Sequence, residues 1–149
     1  MRRIAVVVVA LTATTAPTLA QAPPAGWKTG TDTRKACQIS YPADWTFNIG
    51  TATAPDKKIT ATVHSMRAGQ SFADSKTMVQ SMMKPITVVQ DDAKRLIYTM
   101  DPGPSGGANK NGWYVIANTT PVCTVSFTFA TGADEKAMMK VADSLQLFK

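Results

Sequence analysis

The chain has 149 residues, of which 44% are hydrophobic and 17% charged, and its formal net charge at pH 7 is +6. This size allows one domain with a real hydrophobic core and leaves no room for a second domain. No basic run exceeds two residues, as in Lys57–Lys58 and Lys94–Arg95. A nucleic-acid partner is therefore not expected.

The N-terminus has the pattern of an export signal. The basic pair Arg2-Arg3 precedes an apolar run over 4–11, which is much shorter than the roughly 20 residues that span a bilayer. The small residues that follow place the predicted cleavage between Ala20 and Gln21. We therefore expect residues 1–20 to be a signal peptide. The mature chain, with 14 basic and 10 acidic residues and a net charge of +4, is expected to be periplasmic or secreted, without a stable membrane anchor.

Alternating hydrophobic residues predict three strands in the first half of the mature chain. Residues 21–34, which include two prolines and two glycines, predict a flexible arm, so the single domain is expected to cover 35–149. The three predicted strands lie near 37–41, 45–49 and 58–66, and Pro42-Ala43-Asp44 forms the turn between the first two.

Two helices and two further hairpins are predicted in the second half. Ser71 and Asp74 have the spacing of a capping box, and this helix is expected to end before Pro85. The same spacing from Thr131 to Asp134 opens the second helix. The intervening strands are predicted at 86–90, 94–100, 113–118 and 122–130, with a Gly- and Pro-rich loop at 101–112.

This order of elements predicts the fold class. Links of hairpin length dictate a mainly antiparallel sheet, because parallel neighbours need long crossovers. About six to seven strands packed with two amphipathic helices make a layered α+β domain.

The two cysteines predict a disulfide bond in an exported chain. Cys37 and Cys123 are the only cysteines, and an oxidising compartment favours their pairing. Two separate buried thiols remain the alternative.

Two short motifs resemble a known superfamily. The stretch Cys37–Trp45, with its Tyr-Pro-x-x-Trp turn, resembles the opening of PsbP-like proteins, and Ala142–Leu145 is similar to their closing helix followed by Ser-Leu. That superfamily includes PsbP, a Ran-binding nuclear import factor, DcrB-type periplasmic proteins and adaptors of type VI secretion. The resemblance covers nearly all of 35–148 and implies an exported bacterial member with an α/β/α sandwich. Because members have unrelated roles, it does not imply an activity.

No catalytic or metal-binding motif stands out. His64 is the only histidine, and a hydrolase would need it beside an acid and a serine; a surface histidine is the simpler interpretation. The sequence lacks the closely spaced ligands that a tetrahedral zinc site needs. The pair Asp91-Asp92 is more typical of a turn than of a calcium site. The helical methionines favour core packing over copper(I), with Met83 or Met139 as a surface patch. No cofactor is expected.

The leading hypothesis is a non-enzymatic accessory protein that binds another envelope protein through a sheet face, a groove or the 101–112 loop. The alternatives are an immunity or inhibitor protein against a toxin or hydrolase, a hydrolase using His64, and a carrier of a small apolar ligand. The candidate partner-binding residues lie in or beside the loop: Asp101, Asn109, Lys110, Asn111, Trp113 and Tyr114. Oligomeric state stays undetermined.

Overall fold

The computed structural model describes residues 22–82, 85–100 and 110–149. The elements of this part are, in chain order, β1 (Trp27–Thr31), β2 (Cys37–Pro42), β3 (Thr46–Asn48), β4 (Thr51–Thr53), β5 (Ile59–Ser65), α1 (Phe72–Gln80), β6 (Ile86–Asp91), β7 (Arg95–Met100), β8 (Lys110–Ala117), β9 (Cys123–Ala130), α2 (Glu135–Asp143) and β10 (Gln146–Leu147).

The strands form two antiparallel sheets. The large sheet has seven strands in the order β3-β4-β5-β9-β8-β7-β6, and the small sheet has three in the order β1-β2-β10. All paired strands are antiparallel, as hairpin-length links require. The predicted α+β class with a mainly antiparallel sheet and two helices is confirmed. The division of the strands into two sheets was not predicted.

The first strand of the described residues, β1, lies within the segment 21–34 that was predicted to be a flexible arm, and that prediction was wrong for β1. This strand pairs with β2 along its whole length, from Trp27 opposite Pro42 to Thr31 opposite Gln38. Its one buried residue is Gly30, where an added Cβ would lie 2.3 Å from Cε2 of Phe47. The ring therefore packs directly on the backbone, an arrangement that hydrophobic alternation does not reveal.

The two faces of the large sheet pack on different elements. The front face, which includes Ala61, Val63 and Val125, packs on the small sheet and α2 in the larger core. The back face packs on α1 through a smaller core of Val79, Leu96, Tyr98, Ile116 and Val122. On this side α1 covers the part of the sheet around β7 and β8.

The predicted disulfide is confirmed. Cys37 of β2 and Cys123 of β9 are bonded, with their Cα atoms 5.6 Å apart, and both residues are fully buried. The bond therefore links the small sheet to the middle of the large one.

The helix starts differ in how well the sequence predicted them. The capping box of α1 is confirmed, since Ser71 Oγ accepts from the Asp74 amide at 3.1 Å and the Asp74 carboxylate accepts from the Ser71 amide at 3.1 Å. This helix ends at Gln80, five residues before the predicted stop at Pro85. The predicted cap at Thr131 was wrong: the N-cap of α2 is Asp134, which accepts from the Ala137 amide at 3.1 Å.

Both helices of the described part have nine residues. Neither is long and apolar enough to cross a membrane.

Candidate functional site

His64 is exposed on the back face of β5, opposite Thr124 of β9. Its imidazole makes no hydrogen bond within the described residues. The next residue, Ser65, points to the other face and bonds to Asp32 at 2.6 Å. The described structure therefore does not bring His64 together with an acid and a serine, as a hydrolase would require.

Asp32 is the one buried carboxylate among the residues that the structure describes, with 4% of its surface exposed. Oδ1 accepts from the amides of Ala36 at 2.7 Å and Cys37 at 3.0 Å, and Oδ2 accepts from the amide of Ser65 at 3.1 Å and from its hydroxyl. Burial raises the pKa of Asp32, but these hydrogen bonds outweigh it and hold the pKa below its ordinary value. Each carboxylate oxygen of Asp32 therefore accepts two hydrogen bonds, which indicates a structural role for this residue.

The residues predicted around the 101–112 loop are described only in part. Residues 101–109, including Asp101 and Asn109, lie outside the described residues, and Lys110 and Asn111 begin β8. Trp113 is buried on the front face against Phe127, with ring centroids 5.8 Å apart. Tyr114 lies on the back face, as the alternation of a strand requires. Trp113 and Tyr114, two of the predicted partner-binding residues, therefore lie on opposite faces of the sheet.

The described methionines mostly fill the core. Met138 is fully buried, Met82 and Met139 pack against the two cores, and Met78 is 42% exposed. Met83 lies outside the described residues. Among the residues that the structure describes, no group of three His, Cys, Asp or Glu side chains is placed to hold a metal ion.

The described chain does contain a groove that the sequence did not reveal. We use this name for two separate cavities on the front face between α2 and the β6–β7 hairpin, one at each end of α2. The larger cavity, about 580 Å³, lies at the C-terminal end of α2 and is lined by Gln90, Asp92, Arg95, Val115, Ala142 and Asp143 among others. The smaller one, about 210 Å³, lies at the N-terminal end and is lined by Val89, Thr99, Trp113, Phe129, Glu135 and Met138.

Polar contacts define the C-terminal end of this groove. Arg95 of β7 donates to Asp143 of α2 at 2.6 Å and to Gln90 of β6 at 3.1 Å. Asp92 organises the β6–β7 turn: its side chain accepts from Gln90 and from the amides of Arg95 and Lys94, and these hydrogen bonds lower its pKa to about 2. The hairpin is thus held in a defined position beside α2.

In the part of the chain that the structure describes, β6 is an edge strand of the large sheet and forms the outer wall of the groove. Two adjacent apolar side chains are half exposed on it, Val88 at 50% and Val89 at 52%. A bulge between Val88 and Gln90 shifts the register with β7, so Val88 lies opposite Tyr98 on the back face while Val89 lines the groove. The opposite edge, β3, has only three residues. The long edge of the sheet is therefore also the one that exposes apolar side chains.

One signal in the sequence could have indicated this edge. Val88 and Val89 interrupt the alternation of the predicted strand, and two adjacent apolar residues in an edge strand indicate a bulge or a contact. The groove itself depends on the placement of α2, which comes from a distant part of the chain.

No protein-family model matches the sequence, and no curated protein matches it. A crystal structure from Bacteroides thetaiotaomicron is similar, with a TM-score of 0.55 and 15% identity over 83% of this chain and 49% of that one. The chain thus spans about half the length of that protein. The solution structure of cyanobacterial PsbP (CyanoP) from Synechocystis aligns with a TM-score of 0.47 and 11% identity over 84% of this chain and 94% of that one. The likeness to the Bacteroides structure concerns the fold alone.

Proposed function

We propose that the mature chain is an exported accessory protein without catalytic activity, and that it binds an extended segment of another envelope protein along β6. The observation that carries this proposal is the exposed edge of β6 with Val88 and Val89 half exposed. The free edge of a terminal strand presents unpaired backbone N–H and C=O groups, which a partner strand can pair with.

The surroundings of β6 supply side-chain specificity. Successive side chains of an added strand point to opposite faces. On the front face they meet the cavity formed by Val89, Trp113 and Met138, and on the back face they meet Val88. Backbone pairing with an apolar pocket for alternate side chains is one of the common modes of peptide recognition.

Export is part of the same proposal. The signal-like segment over 1–20 supports it, and so does the buried Cys37–Cys123 disulfide, because such bonds persist in oxidising compartments. We also place the chain among PsbP-like proteins on its Tyr-Pro-x-x-Trp motif. Tyr41 and Trp45 of that motif are buried, which agrees with a packing role and leaves the partner to be set by the surface.

A photocrosslinking side chain at Val88 tests the binding edge. The oxidised mature protein carrying it is expected to give a discrete crosslinked product in intact envelopes, and a second substitution, Val89→Lys, is expected to abolish that product. The matched control places the crosslinker at Ile49, an apolar residue of the β3–β4 turn that is 77% exposed. Equal products from both positions, or none from Val88, would contradict the proposal.

The N-terminus of the secreted form tests the export step separately. Intact mass measurement of protein released from the periplasm is expected to give a chain that begins at Gln21. A full-length chain beginning at Met1, confined to the cytoplasm and with both thiols reduced, would contradict export while leaving the edge of β6 to be tested in vitro.

A further inference from the structure

Ile49 is both strained and exposed at the tip of the β3–β4 hairpin. Its φ is +43° and that of Gly50 is +77°, and Asn48 pairs with Thr51 across them, as in a type I′ turn. Such turns favour Asn-Gly, because a β-branched residue is sterically unfavourable in the left-handed conformation. Ile49 is also 77% exposed, more than any other large hydrophobic residue that the structure describes. The isolated fold therefore gains nothing from an isoleucine at this position.

A second exposed apolar side chain lies at the same end of the molecule. Gly50 is next to the β1–β2 turn, since an added Cβ at Gly50 would lie 3.8 Å from the Cα of Asp32. In that turn the Ala36 carbonyl accepts from the Phe148 amide at 2.9 Å, and Phe148 is 43% exposed. Ile49 and Phe148 thus lie beside one turn.

The exposed charges around this turn are basic. Arg34 and Lys35 belong to the β1–β2 turn, and Arg67 belongs to the loop after β5. All three are exposed, and their side chains make no hydrogen bond or ion pair within the described residues. Asp32 is buried beneath the turn, and Asp74 is bonded within the capping box of α1. We call the following residues the basic corner: Arg34, Lys35, Ile49, Arg67 and Phe148.

A cavity of about 520 Å³ opens between the β1–β2 turn and the loop after β5. Its walls are mostly apolar and include Met66, Ala68 and Pro121, and Arg34 is the one charged residue among the described residues that line it. The cavity therefore places a cation directly beside apolar surface.

We infer that the basic corner docks reversibly on the surface of a bilayer that contains anionic phospholipids. At such a surface, phosphate groups lie above hydrocarbon, so a protein surface that combines positive charge with exposed apolar side chains finds both partners there. Ile49 and Phe148 enter the headgroup region, where removal of their apolar surface from water is favourable. The three cations contact the phosphates.

The composition of the basic corner favours a lipid surface over an acidic protein. A stable protein interface has an extended apolar core with charged residues at its rim. Here two apolar side chains lie on different elements among basic residues, which does not supply such a core. A bilayer needs no matching shape, because single side chains can enter it separately.

Docking at the basic corner leaves the edge of β6 accessible. Three strands, β9, β8 and β7, separate β5 from β6, which makes four strand spacings, or roughly 19 Å. The β6–β7 turn carries Asp91 and Asp92, which an anionic surface repels. Contact is therefore limited to the side of the molecule that holds β1, β2 and β3, and the inference does not depend on partner binding at β6.

Binding of the oxidised mature protein to vesicles tests this inference. Vesicles of phosphatidylglycerol and phosphatidylcholine in equal amounts are expected to bind it roughly tenfold more tightly than vesicles of phosphatidylcholine alone. Ile49→Asn is expected to weaken binding by about tenfold without loss of thermal stability, because Asn is favoured at this position of the turn. The matched control is Val88→Asn, which removes a 50% exposed apolar side chain from β6 and should leave vesicle binding unchanged.

A pair of charge-matched double variants tests the cations. Arg34→Gln with Arg67→Gln is expected to weaken binding to the anionic vesicles by roughly 25-fold, or about fivefold per cation. Lys58→Gln with Lys136→Gln removes the same net charge from exposed positions near the opposite end of β5 and β9. This control is expected to weaken binding by less than about threefold.

The outcomes separate docking at the basic corner from attraction by net charge. Losses confined to Ile49→Asn and to the Arg34 and Arg67 variant support docking, whatever the crosslinking from Val88 shows. No binding of the folded wild type to the anionic vesicles overturns the inference, and so do equal losses in the two double variants. Binding to polyglutamate that is as tight as binding to vesicles, and unchanged in Ile49→Asn, also overturns it, because the corner then recognises an acidic chain instead of a lipid surface.

Discussion

Asp32 Oδ2 accepts two hydrogen bonds from Ser65, one from its amide at 3.1 Å and one from its hydroxyl at 2.6 Å. Asp32 follows β1 of the small sheet and Ser65 ends β5 of the large sheet. The other carboxylate oxygen accepts from the Cys37 amide, so the ionised group connects both sheets beside the disulfide. The buried charge of Asp32 is thus held by donors from two layers of the fold.

Stability should depend on the charge of Asp32. Asp32→Asn is expected to lower the free energy of unfolding near pH 6 by about 2 to 4 kcal/mol, because it removes a charged acceptor and leaves buried donors badly paired. Burial raises the pKa of Asp32, but its hydrogen bonds lower the pKa by more, so the net pKa is below the ordinary value. The contribution is therefore fully present above the unfolded pKa of about 3.9 and is lost as pH falls through the folded pKa.

Urea unfolding at pH 6 and pH 3 measures this dependence. The difference between wild type and Asp32→Asn should shrink at the lower pH, whereas Asp44→Asn, at an exposed position, should change the free energy of unfolding little at either pH. A difference that stays constant across this range would refute a role for the ionised form.

The disulfide should contribute a large part of the stability. It closes a loop over a sequence separation of 86 residues, which on the chain-entropy model corresponds to roughly 4 to 5 kcal/mol. The double variant Cys37→Ser, Cys123→Ser should lose about that amount in denaturant unfolding. Wild type reduced with dithiothreitol is the matched comparison, because it tests the same bond without a substitution. Two equivalents of thiol reagent reacting with the native oxidised protein would show that the bond is not formed.

Gly30 should not tolerate a side chain while Phe47 is present. Gly30→Ala places a methyl group where the Phe47 ring lies, 2.3 Å from its Cε2, and such overpacking costs about 1 to 3 kcal/mol. The ring also stacks on Tyr41 at 5.2 Å, which limits its movement. Thermal unfolding of Gly30→Ala, Phe47→Leu and the double variant forms a cycle in which the double variant should be less destabilised than the sum. Strict additivity would show that the two positions do not meet.

The same residues show what the sequence can and cannot predict. The strand at 122–130 was predicted because it alternates within itself, and the hairpin over 86–100 was predicted because the Asp91-Asp92 turn divides it. By contrast, β1 offers only Gly30 as a buried residue, and β10 has only two residues. Both exist because β2 pairs with them, and pairing with a distant strand leaves no local pattern.

The polar face of β5 and the groove beside β6 also show which features a local pattern can predict and which depend on pairing with distant residues. Alternation correctly predicted that Thr60, Thr62 and His64 share the polar face of one strand. It did not reveal that these residues lie opposite Thr128, Ser126 and Thr124, since that depends on the register of β5 with β9. The groove beside β6 was beyond prediction for a similar reason: Arg95 and Asp143, which meet across its end, are 48 residues apart.

The capping box of α1 should account for a measurable share of helix stability. Ser71→Ala removes the acceptor of the Asp74 amide and the hydroxyl that bonds to the Asp74 carboxylate at 2.6 Å. We expect the free energy of unfolding to fall by about 0.5 to 2 kcal/mol. This helix is held on the sheet by Val79, which packs with Tyr98 and Ile116. In Ser71→Ala, the rate of hydrogen exchange should therefore rise more at the amides of α1 than at those of β9. Ser81→Ala at the other end, where the hydroxyl donates to the Met78 carbonyl at 2.8 Å, is the matched control and should cost less. Equal losses from both ends would mean that the N-terminal box has no special role.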